Sequence, residues 1–200
     1  MHVPEQHDFG YLALAGLQSQ VYVIAPKEAA EDGTRTITVV FSGTNSLQGL
    51  YGAYSFDQTG WHSEEPGDVP VVWGGRFSIL PCDAVRVHRG YKRGYDISKR
   101  RLWKLLQDFG LASDDTLVIT GHSLGGAMAQ MCALDIRQTH RHRRIEVVTF
   151  GSPAVGNENF QALYDAELRN ATVSCFQMHA CAHVSMQCMI GALFQRHRCG

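Results

Sequence analysis

Ser123 sits in the run Thr116-Leu-Val-Ile-Thr-Gly121-His-Ser-Leu-Gly125-Gly126, with a glycine two residues before it and another two residues after it. A mostly β-branched apolar stretch leads into the corner, and Leu124, Ala127, Met128, Met131 and Leu134 follow it at helical spacing. Glycines so placed let a strand turn sharply into a helix without a Cβ clash, holding the serine hydroxyl clear at the apex. The start of a helix beside that hydroxyl supplies a dipole that favours developing negative charge. Such a corner displays a weak nucleophile.

The elements that must position the corner are legible around it. Gln20–Ala25 and Thr34–Gly43 read as strands because β-branched residues dominate both, and the polar stretch between them predicts an antiparallel hairpin. Tyr91, Tyr95, Leu102, Leu105, Leu106 and Phe109 fall on one helical stripe that Gly110 closes. Then come a strand over Thr116–Thr120, a helix over about Leu124–Thr139 and a strand over Ile145–Phe150. Strand, helix, strand at that length is a βαβ crossover, so the expected fold class is α/β with a mostly parallel central sheet, flanking helices and Ser123 at a strand's carboxyl end.

Composition bounds what surrounds this core. The 200 residues, 44% of them hydrophobic, suit a single domain over 1–200. A formal net charge of -1 gives no long-range field toward nucleic acid or an anionic membrane, so neither is expected as a partner. No run approaches a membrane span, so no transmembrane segment is expected. Met1–Gly16 lack the pattern of a secretion signal, which makes a cytoplasmic location the default expectation. Cys175, Cys181, Cys188 and Cys199 crowd the last quarter with His179, His183 and His197. Their irregular gaps lack the paired short spacing of structural zinc sites, so no metal and no organic cofactor is expected.

Four stretches in order resemble the class 3, fungal-type lipases of the α/β-hydrolase fold. The nucleophile motif is "GHSLGGAMA", and "VVFSGTNS" (Val39 to Ser46) is similar to the family's strand-end oxyanion segment. "VHRGY" (Val87 to Tyr91) resembles the motif opening the helix before the nucleophile strand, and "VVTFGSPAVGNENF" (Val147 to Phe160) the strand and loop after it. The likeness runs from about Val21 to Phe160. It implies an ester hydrolase acting on acylglycerols or related lipids, with transient contact at a lipid interface. It also implies Ser123 as nucleophile and an oxyanion hole from the Leu124 N–H and from Thr44, whose main chain and hydroxyl can both donate. Ser42 stands where the family commonly has arginine, a departure expected to remove an ion pair rather than chemistry. His122 and His88 read as scaffold. "SLQGLYGAYSF" after Thr44 matches the place of the family's lid, and the aromatics between Thr44 and Val87 either line an acyl site or anchor a loop to the core.

The tail departs from the pattern. In this fold the acid and then the histidine follow the serine in chain order. "HACAHVSMQC" (His179 to Cys188) fits the frame that carries the family's acid, with Ala182 where aspartate is expected. "GALFQRHRCG" resembles the family's terminal motif, making His197 the expected base and His183 the alternative. No Asp or Glu follows Glu167, so a replacement acid would come from Glu158, Asp165 or Glu167, each more simply a surface carboxylate. Residues from about 161 to 200 therefore read as divergent or truncated. The alternative function is a catalytically impaired, lipid-binding or regulatory scaffold. The basic run Arg137–Arg144 reads as a solvated helix end complementing its dipole.

Overall fold

The computed structural model describes residues 7–14, 19–43, 58–62 and 84–175. Among them are strands β1 (His7–Leu14), β2 (Ser19–Pro26), β3 (Thr36–Phe41), β4 (Gln58–Gly60), β5 (Arg86–His88), β6 (Thr116–His122), β7 (Ile145–Phe150) and β8 (Thr172–Cys175), and helices α1 (Arg89–Asp108), α2 (Leu124–Asp135) and α3 (Glu158–Leu168). Six strands form one sheet in the order β1-β2-β3-β6-β7-β8, and β4 pairs with β5 apart from it. The β2–β3 hairpin is antiparallel, as the polar connection predicts, whereas β3, β6, β7 and β8 run parallel. Val39 lies opposite Ile119, and Ile119 opposite Val147, so the central register stacks one apolar row across three strands.

Alternation along those strands sorts the two faces. Val21, Val23, Ile37, Val39, Phe41, Leu117, Ile119 and Val147 enter the main core with the helices. Val118 and Val148 point the other way and make a small second cluster with Phe150.

α1 buries the predicted stripe: Tyr91, Tyr95, Leu102 and Leu106 are inside, with Leu105 and Phe109 packed at its margin. Gly110, at φ 67°, ends the helix in the left-handed conformation that glycine adopts most readily. α2 differs from its expected form. Eleven of its residues, Leu124 to Asp135 apart from Gln130, are buried, so it is a central helix rather than an amphipathic one. Small residues permit this, since Gly125, Gly126, Ala127, Ala129 and Ala133 let β3, β6, β7, α1 and α3 close around it. Beyond Asp135 the backbone widens into a π turn over Ile136–His140, which takes the helical path to about the predicted end.

β1, β4, β5 and β8 were not foreseen. β1 alternates weakly, and β4 and β8 are only 3 and 4 residues long. The region from Thr44 to Val87, read as irregular, thus contains strand β4 and the first residues of β5.

Candidate active site

The carboxyl ends of β3, β6 and β7 are neighbours in the sheet, and Ser123 leaves the middle one. Ser123 holds φ 52° and ψ -125°, a conformation costly for a residue with a Cβ. Its N–H donates to the Phe150 carbonyl at 2.9 Å, and its own carbonyl accepts from Gly126 at 2.9 Å and Ala127 at 3.3 Å. These three bonds hold the strained corner against β7 on one side and the first turn of α2 on the other.

The motif glycines have a different role from the serine. A Cβ on Gly121 would lie 2.3 Å from the carbonyl of Gly125, and one on Gly125 would lie 2.2 Å from the Phe41 carbonyl oxygen. No side chain fits either gap, so α2 can sit this close to β6 and to the end of β3 only with glycine at both places. The glycines supply the close approach, and the sharp backbone turn belongs to Ser123 itself.

Ser123 is half-buried and makes no side-chain cap to α2, which leaves its hydroxyl uncommitted to the helix end. Leu124 is the first residue of α2, so its N–H has no acceptor within the helix. At the end of β3, Ser42 Oγ accepts from the Gln20 N–H at 2.8 Å, while the Ser42 N–H donates to the Gln20 carbonyl at 2.8 Å. The hydroxyl that stands where the family commonly has arginine ties the strand exit to β2. Gly43 then passes so close to His122 that a Cβ there would meet the His122 carbonyl oxygen at 3.0 Å.

The His122 imidazole lies beside Gly43 on one side and Gly151 on the other, in keeping with its scaffold reading. Burial pushes its pKa below the ordinary histidine value, so it stays neutral at pH 7. His88 is also structural: its Nδ1 caps α1, accepting from the N–H groups of Gly90 at 3.1 Å and Tyr91 at 3.3 Å. Trp61 is 8% exposed, packs edge-on against Phe160 and donates its indole N–H to Gln138, which settles it as a core anchor.

The three replacement acids are occupied or exposed. Asp165 accepts from Arg169 at 2.9 Å and Gln161 at 3.0 Å, bonds that hold its carboxyl below the ordinary value. Glu167 faces Arg137 at 3.6 Å, and Glu158 is exposed in the first turn of α3. Arg137 also donates to the carbonyls of His142, Arg143 and Glu167, so part of the basic run closes the end of the π turn instead of only facing solvent. Thr44, the lid candidate, Ala182, His183, His197 and the cysteines beyond Cys175 lie outside the described residues. Among the described residues no cluster of His, Cys, Asp or Glu could hold a metal.

The family model for class 3 lipases matches residues 38–181, from within β3, through the Ser123 corner, to one residue short of Ala182. The chain belongs to the class 3 lipase family. It is 29% identical over 136 residues to a lipase of Rhizomucor miehei, covering 66% of this chain and 32% of that protein. It is 32% identical over 139 residues to the lipase ZK262.3 of Caenorhabditis elegans, covering 67% and 33%. The chloroplastic phospholipase A(1) DAD1 of Arabidopsis thaliana is 29% identical over 151 residues, covering 70% and 32%. This class 3 chain thus spans about a third of the length of these curated relatives. In fold it is similar to lipase II of Rhizopus niveus, with a TM-score of 0.60 at 21% identity over 81% of this chain and 54% of that one. That likeness bears out an α/β-hydrolase architecture. No described helix is long and apolar enough to cross a membrane.

Proposed function

We propose that this chain hydrolyses carboxylic esters of lipids, acylglycerols or related glycerolipids, through an acyl-Ser123 intermediate. The observation that carries the reading is the strained Ser123 backbone at the start of a buried helix, a conformation retained at cost where a nucleophile must be displayed. The Ser123 hydroxyl attacks the acyl carbon, its proton passes to His197, and the leaving alcohol takes that proton as the acyl-serine forms. Water then repeats the cycle in reverse. The oxyanion accepts from the Leu124 N–H and from Thr44, and loss of one such donor costs about 3 kcal/mol in the transition state. The relatives' descriptions as lipases and a phospholipase A(1) support glycerolipid acyl esters as the substrate class and transient contact with a lipid interface.

A second reading, an impaired lipase-like scaffold, is favoured by one observation: Ala182 stands where the triad acid is expected. One experiment separates the two. Ester hydrolysis by the parent chain is compared with Ser123→Ala and Ala182→Asp. The enzyme reading expects a weak activity that Ser123→Ala abolishes and that Ala182→Asp raises at least ~10-fold in kcat with little change in KM, because the acid orients the histidine without touching the substrate. Equal rates for all three proteins would make the chain a scaffold.

A further inference from the structure

Among the described elements, α1 carries seven basic residues against Asp96 and Asp108, within a chain whose formal net charge is -1. The helix turns its tyrosines and leucines inward and leaves Arg93, Ile97, Arg100, Arg101 and Lys104 exposed. Arg93, Ile97, Arg100 and Lys104 are spaced i, i+4, i+7 and i+11, which puts them on one line along ~17 Å of helix, with Arg101 beside it.

A merely solvated helix face commonly balances its charges by pairs one turn apart. Here Lys92 has Asp96 at 2.6 Å and Lys104 has Asp108 at 2.8 Å. Lys99 turns to Asp135 at 3.1 Å. Arg93, Arg100 and Arg101 have no acidic partner among the described residues. Ile97, 44% exposed, stands among them as an apolar residue with no core to enter.

We propose that the outward face of α1 is a docking surface for lipid interfaces that carry anionic headgroups. The inference deepens the proposed activity on lipid esters and rests on it for its biological sense. Unpaired guanidinium groups suit phosphate or carboxylate headgroups, and an isoleucine in their midst suits the acyl boundary just beneath them. A nucleic acid would use the cations and leave Ile97 without a role. The face is also placed to serve Ser123. The start of α1 is tied to the loop after β7, since the His88 N–H donates to the Val155 carbonyl at 2.8 Å. Its far end meets the start of β6 where Arg35 bridges the Phe109 carbonyl and Asp115. The line of cations therefore runs down the flank of the molecule from the level of the Ser123 corner.

Flotation of the full chain with phosphatidylcholine vesicles, with and without phosphatidylglycerol, tests this. The expected result is binding to the mixed vesicles alone, weakening as salt is raised. Changing Arg93, Arg100 and Arg101 to Gln together should lower that binding on the order of 100-fold, at about 5-fold per cation. The matching triple change to Lys should keep it, and Ile97→Ser should weaken it further than salt alone does. Hydrolysis of a soluble short-chain ester should be the same in all of these variants. Equal binding to both vesicle types, full binding by the triple Gln variant, no binding at all, or a stronger preference for duplex DNA would each overturn the proposal. Charge-dependent vesicle binding by a chain that hydrolyses no ester would uphold the docking face while the ester-hydrolase reading fails.

Discussion

At the scale of the residue, the site is governed by which atoms can be absent. Ser123 tolerates a strained backbone because Phe150, Gly126 and Ala127 hold it by three main-chain hydrogen bonds. Gly125 and Gly126 tolerate no Cβ for unlike reasons: the first faces main-chain carbonyls of Phe41 and Ser42, the second the Ser152 side chain. The Phe41 carbonyl oxygen would lie 2.2 Å from a Cβ on the first, whereas the Ser152 Cβ would lie 2.8 Å from one on the second, so the second needs the smaller shift. Gly125→Ala is accordingly expected to destabilise by ~2 kcal/mol or more and Gly126→Ala by less, read as the fall in thermal midpoint. Equal effects would mean that α2 shifts as a unit and that the Phe41 contact does not fix it.

At the scale of the element, α2 is held to α1 by a buried polar clamp. The Tyr95 hydroxyl donates to Asp135 at 2.6 Å, and Asp135 also accepts from Lys99 at 3.1 Å and Thr139 at 3.0 Å. Burial pushes the Tyr95 pKa well up, so it remains a donor at every ordinary pH. Tyr95→Phe should cost about 1–2 kcal/mol and Asp135→Ala more, because the latter strands a buried hydroxyl; a double-mutant cycle in urea that gives no coupling would remove the clamp. A second tie joins the start of β6 to the approach to β3. Asp115, 3% exposed in its side chain, accepts from the Arg35 guanidinium at 2.7 Å, the Arg35 N–H at 3.0 Å and the Ala112 N–H at 2.9 Å. Burial raises its pKa, but those bonds outweigh it and leave the carboxyl below its ordinary value of 3.8. A carboxylate with a depressed folded pKa adds stability that is complete above the unfolded value and lost as pH falls through the folded one. Asp115→Asn is therefore expected to flatten the loss of stability below about pH 4 in a series of melts, and an acid limb as steep as the parent's would place that loss elsewhere.

At the scale of the whole molecule, the same burial that makes α2 central makes Cys132 a reporter. Its thiol is fully buried, and burial raises its pKa far above that of a free thiol. Alkylation followed by peptide mapping should leave Cys132 unmodified in the native chain and modify it at the rate of global unfolding; prompt labelling in the fold would show that α2 opens locally. Much of this organisation is legible in the chain itself. The β-branched runs of β2, β3, β6 and β7, the stripe of α1 and the glycines around Ser123 are local patterns, and they specify a parallel core with a serine at a strand end. Pattern alone did not reveal β1, which alternates weakly, or β8, which is only 4 residues long; both become strands because neighbours offer them ladder partners. Nor did it show that α2 is enclosed on nearly every side, since small residues read as weakly amphipathic until a sheet and two helices close on them. The formal charge of -1 likewise concealed the cationic line on α1, because a net sum is blind to position. The sequence determines which residues can serve a nucleophilic corner; only the tertiary structure decides that Ser123 itself carries the strained turn, because its φ depends on how closely Gly125 lets α2 approach the end of β3.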